Sequence, residues 1–151
     1  MSNAIKVIFK DKTLIDVYFD DSSVKRFDVL SLANKYPQLN ALKDRELFLK
    51  GKLLGWSAIC WNDDLDLDTE IVYEDGVDVS DEYDDIEVVV LGHKIKEKRL
   101  ELNLTQTELA ERIDIEQSDL SKIEKGLLNP SIKMIKRIAK GLNASISLTI
   151  N

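Results

Sequence analysis

The sequence is poor in the residues that cross-link chains, bind metals or break regular structure. Its 151 residues include one cysteine, one histidine and two prolines, and aromatic residues make up 7%. The single Cys60 cannot form an internal disulfide, and we interpret it as a small buried residue. No apolar run is long enough to span a membrane and no secretory signal opens the chain, so we expect a cytoplasmic protein without membrane association.

The residue clusters that most enzymes need are also missing. His93 is the sole histidine, and no cysteine or second histidine stands at metal-ligand spacing from it. The sequence contains no nucleophile elbow and no phosphate-binding glycine loop. We therefore expect no enzyme activity, no catalytic residue, no bound metal and no cofactor.

Alternating carboxylates at Asp64, Asp66 and Asp68 raise the question of a cation site. A calcium loop beginning at Asp64 needs glycine at its sixth position and glutamate at its twelfth, where this chain has Thr69 and Asp75. The loop pattern fails. On a strand the three carboxylates would share one face, and we interpret them as a solvated face that blocks edge pairing.

Charge divides the chain into two parts. Residues 1–90 hold 10 Lys+Arg against 20 Asp+Glu, whereas residues 91–151 hold 11 against 8. From Leu53 to His93 there is no lysine or arginine. We predict an acidic α+β domain over 1–73, an acidic linker over 74–90 and a second domain over 91–151. The acidic block either repels nucleic acid, presents itself to a basic partner, or is simply a solvated linker.

The first part has strand signals followed by a short helix. Ile5–Phe9 and Leu14–Phe19 are β-branched and aromatic, and Asp11-Lys12 between them suits a hairpin turn. Val24–Phe27 predicts a third strand, and Asp28 can cap the helix that follows it. The pattern predicts a small, β-rich α+β domain with short helices.

This part resembles a bacterial domain family of unknown function over residues 5–73. The resemblance rests on the runs DKTLIDVYFDD, FDVLSL, LKDRELF and ICWNDDLDLD. It implies a fold, and an accompanying helix-turn-helix domain in some members, but no activity. A protein partner for the acidic domain is therefore an expectation from charge.

The second part predicts a bundle of short helices. Thr105 can cap a helix and Glu108 can complete a capping box, while a second short helix follows over 116–125. Further helices are expected over Leu91–Leu102 and Ser131–Leu142. The β-branched tail, Ser145–Ile150, predicts a strand that pairs either with residues 87–91 or with its own copy in a second subunit.

These helices resemble the lambda-repressor-like helix-turn-helix family, in its Xre and Cro branch, over about Leu91–Leu142. Counting twenty motif positions from Gln106, apolar residues are expected at five positions and a small residue at one. The chain supplies all six with Leu109, Ala110, Ile113, Ile115, Leu120 and Ile123. The ninth position, usually glycine, is Asp114, which tolerates a left-handed backbone.

The resemblance implies roles for particular residues. Gln117, Ser118 and Ser121 would read base edges, and Arg99 would pair with Glu124 to tie the first helix to the third. Backbone contacts to DNA would come from Gln106, Lys122, Asn129 and Ser131, and Thr107 would also contact DNA. Amide and hydroxyl side chains on an exposed helix suit the major groove, where glutamine matches adenine.

The sequence thus predicts a DNA-binding transcriptional regulator that reads a palindromic site as a homodimer, since paired recognition helices would enter adjacent major grooves. A different class stays open: a protein-interaction module, such as the antitoxin-like component of a two-protein complex, in which the helix-turn-helix supports only assembly.

Overall fold

A computed structural model describes residues 2–151 and divides the chain into two compact units, Met1–Ile86 and Glu87–Asn151. Each unit has its own hydrophobic core. Within residues 2–151, no helix combines the length and apolar character needed to cross a membrane.

The first unit is built on two antiparallel sheets. Four strands form the first sheet in the order β1-β2-β3-β7, and three form the second in the order β4-β5-β6. The strands are β1 (Ala4–Phe9), β2 (Leu14–Phe19), β3 (Val24–Asp28), β4 (Lys52–Leu54), β5 (Ala58–Asn62), β6 (Leu65–Asp68) and β7 (Val77–Asp78). Two short helices, α1 (Arg45–Phe48) and α2 (Thr69–Asp75), and 3-10 helices at Val29–Leu32, Pro37–Lys43 and Ser80–Glu82 complete the unit.

Strand alternation explains which face of β2 enters the core. Ile15, Val17 and Phe19 belong to the core cluster and are fully buried. Asp16 and Tyr18, between them, point to the opposite face of the sheet and yet are also fully buried. The opposite face must therefore be covered by another segment of the chain.

That covering segment is residues 79–85, which follows β7. Tyr83 donates its hydroxyl hydrogen to Asp16, and the Tyr18 hydroxyl donates to Asp85 over 2.7 Å. Arg26 donates to both oxygens of Asp16 at 2.8 Å. Burial raises the pKa of the Asp16 carboxyl, but the hydrogen bonds from Arg26 and Tyr83 outweigh burial and hold that pKa below its ordinary value.

Residues 74–90 differ from the acidic linker that their composition predicts. They contain the end of α2, strand β7, a 3-10 helix and the start of α3. Two of the acidic side chains pair with residues of β3: Asp78 lies 3.5 Å from the Lys25 ammonium, and Glu82 lies 2.8 Å from the Arg26 guanidinium. These two pairs help to hold in place a segment whose charge alone suggested a solvated connection.

The second unit is helical, as predicted. Its helices are α3 (Ile86–Glu101), α4 (Gln106–Ile113), α5 (Gln117–Glu124) and α6 (Ile132–Gly141). Their apolar faces meet in a core of Ile95, Leu104, Leu109, Ala110, Ile113, Leu120, Ile123, Ile138 and Leu142. The predicted α+β class, with a β-rich first domain and a helical helix-turn-helix domain, is confirmed.

The predicted C-terminal strand is wrong. Residues 145–150 have no regular secondary structure, and within the described chain they make no backbone hydrogen bond outside regular elements. One of their two expected partners, residues 87–91, lies in α3. The β-branched run in that segment is helical despite the weak helix propensity of valine, and Val89 and Val90 are buried.

Candidate DNA interface

The helix-turn-helix begins with a fully formed cap on α4. The Thr105 hydroxyl oxygen accepts from the Glu108 amide at 3.1 Å, and the Thr105 amide donates to the Glu108 carboxylate at 3.4 Å. Gln106 and Thr107 occupy the first turn that follows, where the helix dipole favours an anion. Both predicted phosphate contacts therefore lie at an anion-favouring helix end.

The turn between α4 and α5 depends on a left-handed residue. Asp114 has φ 57° and ψ 54°, the conformation that glycine usually supplies at this position. Arg137 on α6 donates to the carbonyl oxygens of Ile113 and, over 3.1 Å, Asp114. The Arg137 guanidinium thus satisfies two carbonyl groups at the end of α4, a role that the sequence did not indicate.

A buried ion pair joins α3 to α5. Arg99 Nε lies 2.9 Å from one oxygen of Glu124, and Arg99 Nη2 lies 2.8 Å from the other. Arg99 Nη1 donates to the Leu104 carbonyl at 2.7 Å. Because both side chains are almost completely buried, this bidentate contact ties α5 to the body of the unit.

The two helices also approach very closely beside this pair. A Cβ atom placed on Gly92 would lie 2.2 Å from the Ile123 carbonyl oxygen and 2.8 Å from that of Glu124. Only glycine leaves room for the α5 backbone at this crossing. The sequence offered no sign of this requirement, since Gly92 stands in an ordinary helical run.

A chain of hydrogen bonds runs from the buried pair to the exposed start of α5. Gln106 Nε2 donates to Glu124 Oε1 at 3.3 Å, and Gln117 Nε2 donates to Gln106 Oε1 at 2.7 Å. Gln117 is thereby held by Gln106, which is itself held by the buried carboxylate. The sequence suggested both glutamines as separate DNA contacts but not their contact with each other, because eleven residues and a turn separate them.

The outward face of α5 carries the other predicted base-reading residues. Gln117, Ser118 and Lys122 are exposed and Ser121 is half-buried. Asn129 and Ser131 are exposed on the connection to α6. The Ser131 hydroxyl oxygen caps α6 by accepting from the Met134 amide at 3.1 Å. Among residues 2–151, no hydrogen bond joins Asn129 or Ser131 to α5.

Charge on this surface has both signs. Glu116 and Asp119 are exposed at the start of α5. Their carboxylates interact favourably with the positive end of the helix dipole but repel the phosphates of DNA. Lys122 and Lys125 are exposed at the end of the helix. Arg112 donates to the Gly141 carbonyl at 3.1 Å and so serves the packing of α4 on α6.

Residues 2–151 contain no cluster that could hold a metal ion. Three or more histidine, cysteine, aspartate or glutamate side chains do not converge at any point in that range. The amide, hydroxyl and ammonium groups of the α5 surface are suited to hydrogen bonding.

Comparison with known families matches both units. A family described as "Helix-turn-helix" matches residues 95–148, and one described as "Protein of unknown function (DUF2442)" matches residues 4–78. A relative from Archaeoglobus fulgidus, named an uncharacterized HTH-type transcriptional regulator, is 43% identical over 53 residues, covering 35% of this chain and 75% of the relative. The chain belongs to the helix-turn-helix family, with a lambda-repressor-like domain after a domain of unknown function, as predicted.

Further relatives share the helix-turn-helix part. One from Methanothermobacter thermautotrophicus, also named an uncharacterized HTH-type transcriptional regulator, is 46% identical over 48 residues, covering 32% of this chain and 70% of the relative. The HTH-type transcriptional regulator SinR of Bacillus licheniformis is 35% identical over 63 residues, covering 41% of this chain and 57% of the relative. A solved putative DNA binding protein from Nitrosomonas europaea aligns over 91% of this chain and 84% of its own at 17% identity, with a TM-score of 0.43 that supports no further comparison.

Proposed function

We propose that the protein is a transcriptional regulator that binds double-stranded DNA sequence-specifically, with α5 as its recognition helix. The observation that carries the proposal is the position of Gln117, exposed at the start of α5 and held by Gln106, which is in turn held by the buried Glu124. The names of the relatives, HTH-type transcriptional regulators, support the same class.

The hydrogen bonds of Gln117 leave it able to read a base. A glutamine amide has two N–H donors and an oxygen acceptor. One donor is used by Gln106, so the second donor and the oxygen remain available. Those two groups are what bidentate recognition of adenine at N7 and N6 requires. Ser118 and Ser121 follow on the same helix as further base contacts.

Gln106 is proposed to contact a phosphate while it positions Gln117. Its oxygen accepts from Gln117 and one N–H donates to Glu124, which leaves the second N–H for an anion. Thr107 adds a hydroxyl on the same turn of α4. Lys122, Asn129 and Ser131 are proposed to contact phosphates further along the duplex, in keeping with their exposure.

The size of one recognition helix supports the proposal of a homodimer on a palindromic site. The eight residues of α5 span about 12 Å, enough for a few base pairs. Two copies related by a two-fold axis would place their recognition helices roughly 34 Å apart, in successive major grooves. A pair of half-sites supplies the specificity that a single short helix lacks.

The test is a binding measurement on DNA fragments that the protein selects from genomic DNA. Fluorescence anisotropy should show tight binding that weakens about tenfold or more between about 50 and 200 mM salt. Gln117→Ala should weaken binding by about tenfold, since a good bidentate contact is worth about 1–3 kcal/mol. Gln38→Ala, the same substitution at an exposed glutamine of the first unit, is the matched control and should bind as the unaltered protein does.

Two results would contradict the proposal. Equal binding by Gln117→Ala and Gln38→Ala would remove α5 from recognition. Absence of any DNA binding at low salt, together with capture of a protein partner, would favour the antitoxin-like interaction module instead.

A further inference from the structure

Strand β6 is an unpaired edge of the second sheet. It pairs with β5 on one side and has no strand on the other within residues 2–151. Its side chains alternate: Leu65 and Leu67 are buried, while Asp66 and Asp68 are exposed. An open edge of this kind presents backbone donors and acceptors to any extended chain that reaches it.

The ladder indicates which backbone groups face outward. The Thr69 amide donates to the Ser57 carbonyl at 2.9 Å, so Thr69 faces β5. Along an antiparallel strand, the backbone N–H groups point alternately to one side and the other. The N–H of Leu67 therefore also points toward β5, whereas the N–H groups of Asp66 and Asp68 point toward the open edge. In the described part of the chain, no loop or side-chain hydrogen bond takes up these two N–H groups.

A cavity of about 240 Å³ opens along this edge. Its lining includes three consecutive β6 residues, two outward-facing aspartates with Leu67 between them, so it follows the strand rather than one face of it. The apolar wall consists of Leu32, Leu39, Leu67 and Ile71. The cavity therefore offers apolar surface beside unpaired backbone groups.

Charge selects the kind of chain that fits. Asp66 and Asp68 would lie opposite side chains of an added strand on the same face, where lysine or arginine is favoured and a carboxylate is opposed. A second copy of this edge would place aspartates against aspartates, so self-pairing is disfavoured.

We propose that the β6 edge is a docking site for an extended basic segment of a partner protein, which adds an antiparallel strand with the pattern basic–apolar–basic. The basic side chains lie opposite Asp66 and Asp68, and the apolar side chain between them enters the cavity beside Leu67. Backbone hydrogen bonds supply affinity and the alternating side chains supply specificity. This site goes beyond the proposed DNA binding, since it lies in the first unit and involves no residue of α5.

The probe is a synthetic peptide, acetyl-Thr-Lys-Val-Arg-Val-Lys-Thr-amide, titrated into the full-length protein. NMR should show slowed exchange of the Asp66 and Asp68 amide hydrogens in the complex, because those N–H groups become bonded. Asp66→Asn with Asp68→Asn should weaken binding about fivefold, as expected for exposed ion pairs. Asparagine at 68 also caps α2, so the fold is kept.

Two controls separate strand addition from general attraction between charges. Asp81→Asn with Asp84→Asn removes the same charge from exposed positions of the same unit and should leave binding unchanged. A peptide N-methylated at its basic residues keeps the charge but loses backbone donors, and should bind about tenfold more weakly. The proposal is overturned if the parent peptide does not bind, or if both double variants weaken its binding equally. It is also overturned if the N-methylated peptide binds as well as the parent, or if the amide hydrogens of Asp66 and Asp68 exchange at an unchanged rate in the complex.

Discussion

Glu124→Ala should strongly destabilise the second unit while leaving the stability of the first unit unchanged. The substitution removes the carboxylate that pairs with Arg99, whose guanidinium stays buried with the Leu104 carbonyl as its remaining partner. The two side chains of the pair are 7% and 1% exposed, so water cannot replace the lost carboxylate. Stranding one charge of a buried pair costs about 3–5 kcal/mol.

The size of the unit makes that loss decisive. Its 65 residues correspond to a total stability of roughly 3–10 kcal/mol at the usual value per residue. With a urea slope of about 1 kcal/mol per molar, the unfolding midpoint should fall by about 3–5 M. A substitution at a single residue is therefore expected to remove a large share of the stability of the unit.

Urea titrations can follow the two units separately. Far-UV circular dichroism reports mainly on the helices of the second unit, whereas both tryptophans, Trp56 and Trp61, belong to the first. The dichroism midpoint should fall and the fluorescence midpoint should stay. Glu111→Ala, at an exposed position of α4, is the matched control and should change the midpoint little.

Replacing both members of the pair provides the refutation. Arg99→Met with Glu124→Leu leaves no stranded charge and should recover much of the lost stability, because apolar side chains of similar volume often match a buried pair. A loss below about 1 kcal/mol in Glu124→Ala, or a double variant no better than the single one, would show that uncompensated charge is not the cause.

Two further predictions concern packing and pH. Gly92→Ala should destabilise the second unit by about 1–3 kcal/mol in urea titration, because the new Cβ would lie 2.2 Å from the Ile123 carbonyl oxygen. Glu87→Ala, at an exposed position of the same helix, is the control. Alanine favours a helix, so stabilisation by Gly92→Ala would refute the close contact. The pKa of the Asp16 carboxyl is lower in the folded than in the unfolded protein, so its contribution to stability is present above pH 3.8, its ordinary pKa, and is lost as the pH falls below that value. Urea titrations followed by tryptophan fluorescence should therefore show the first unit losing stability in that pH range. Asp16→Asn should reduce this pH dependence, and an unchanged dependence would show that Asp16 is not its source.

Local sequence signals were sufficient for the helices of the second unit. The capping box at Thr105 and the apolar spacing predicted a recognition helix over 116–125, and the structure has α5 at Gln117–Glu124. Caps and apolar periodicity act within a few residues, so they can be read without knowing the tertiary fold.

The same kind of signal failed where contacts distant in sequence decide the structure. The β-branched run at Val88–Val90 suggested a strand but is helical, with Val89 and Val90 buried, although valine has a weak helix propensity. The C-terminal strand was then left without the partner expected for it in the same chain. Residues 74–90 suggested a linker, yet pairs such as Asp78 with Lys25 hold them against β3.

The sequence by itself determined the two-part organisation, the helix-turn-helix pattern and the residue types exposed on α5, because charge distribution, caps and apolar spacing are properties of short stretches. Only the tertiary structure decided that Gln106 supports Gln117, that Glu124 supports Gln106, and that Gly92 must have no side chain. Those contacts join residues eleven to more than thirty positions apart, and such meetings depend on how helices cross rather than on any local preference.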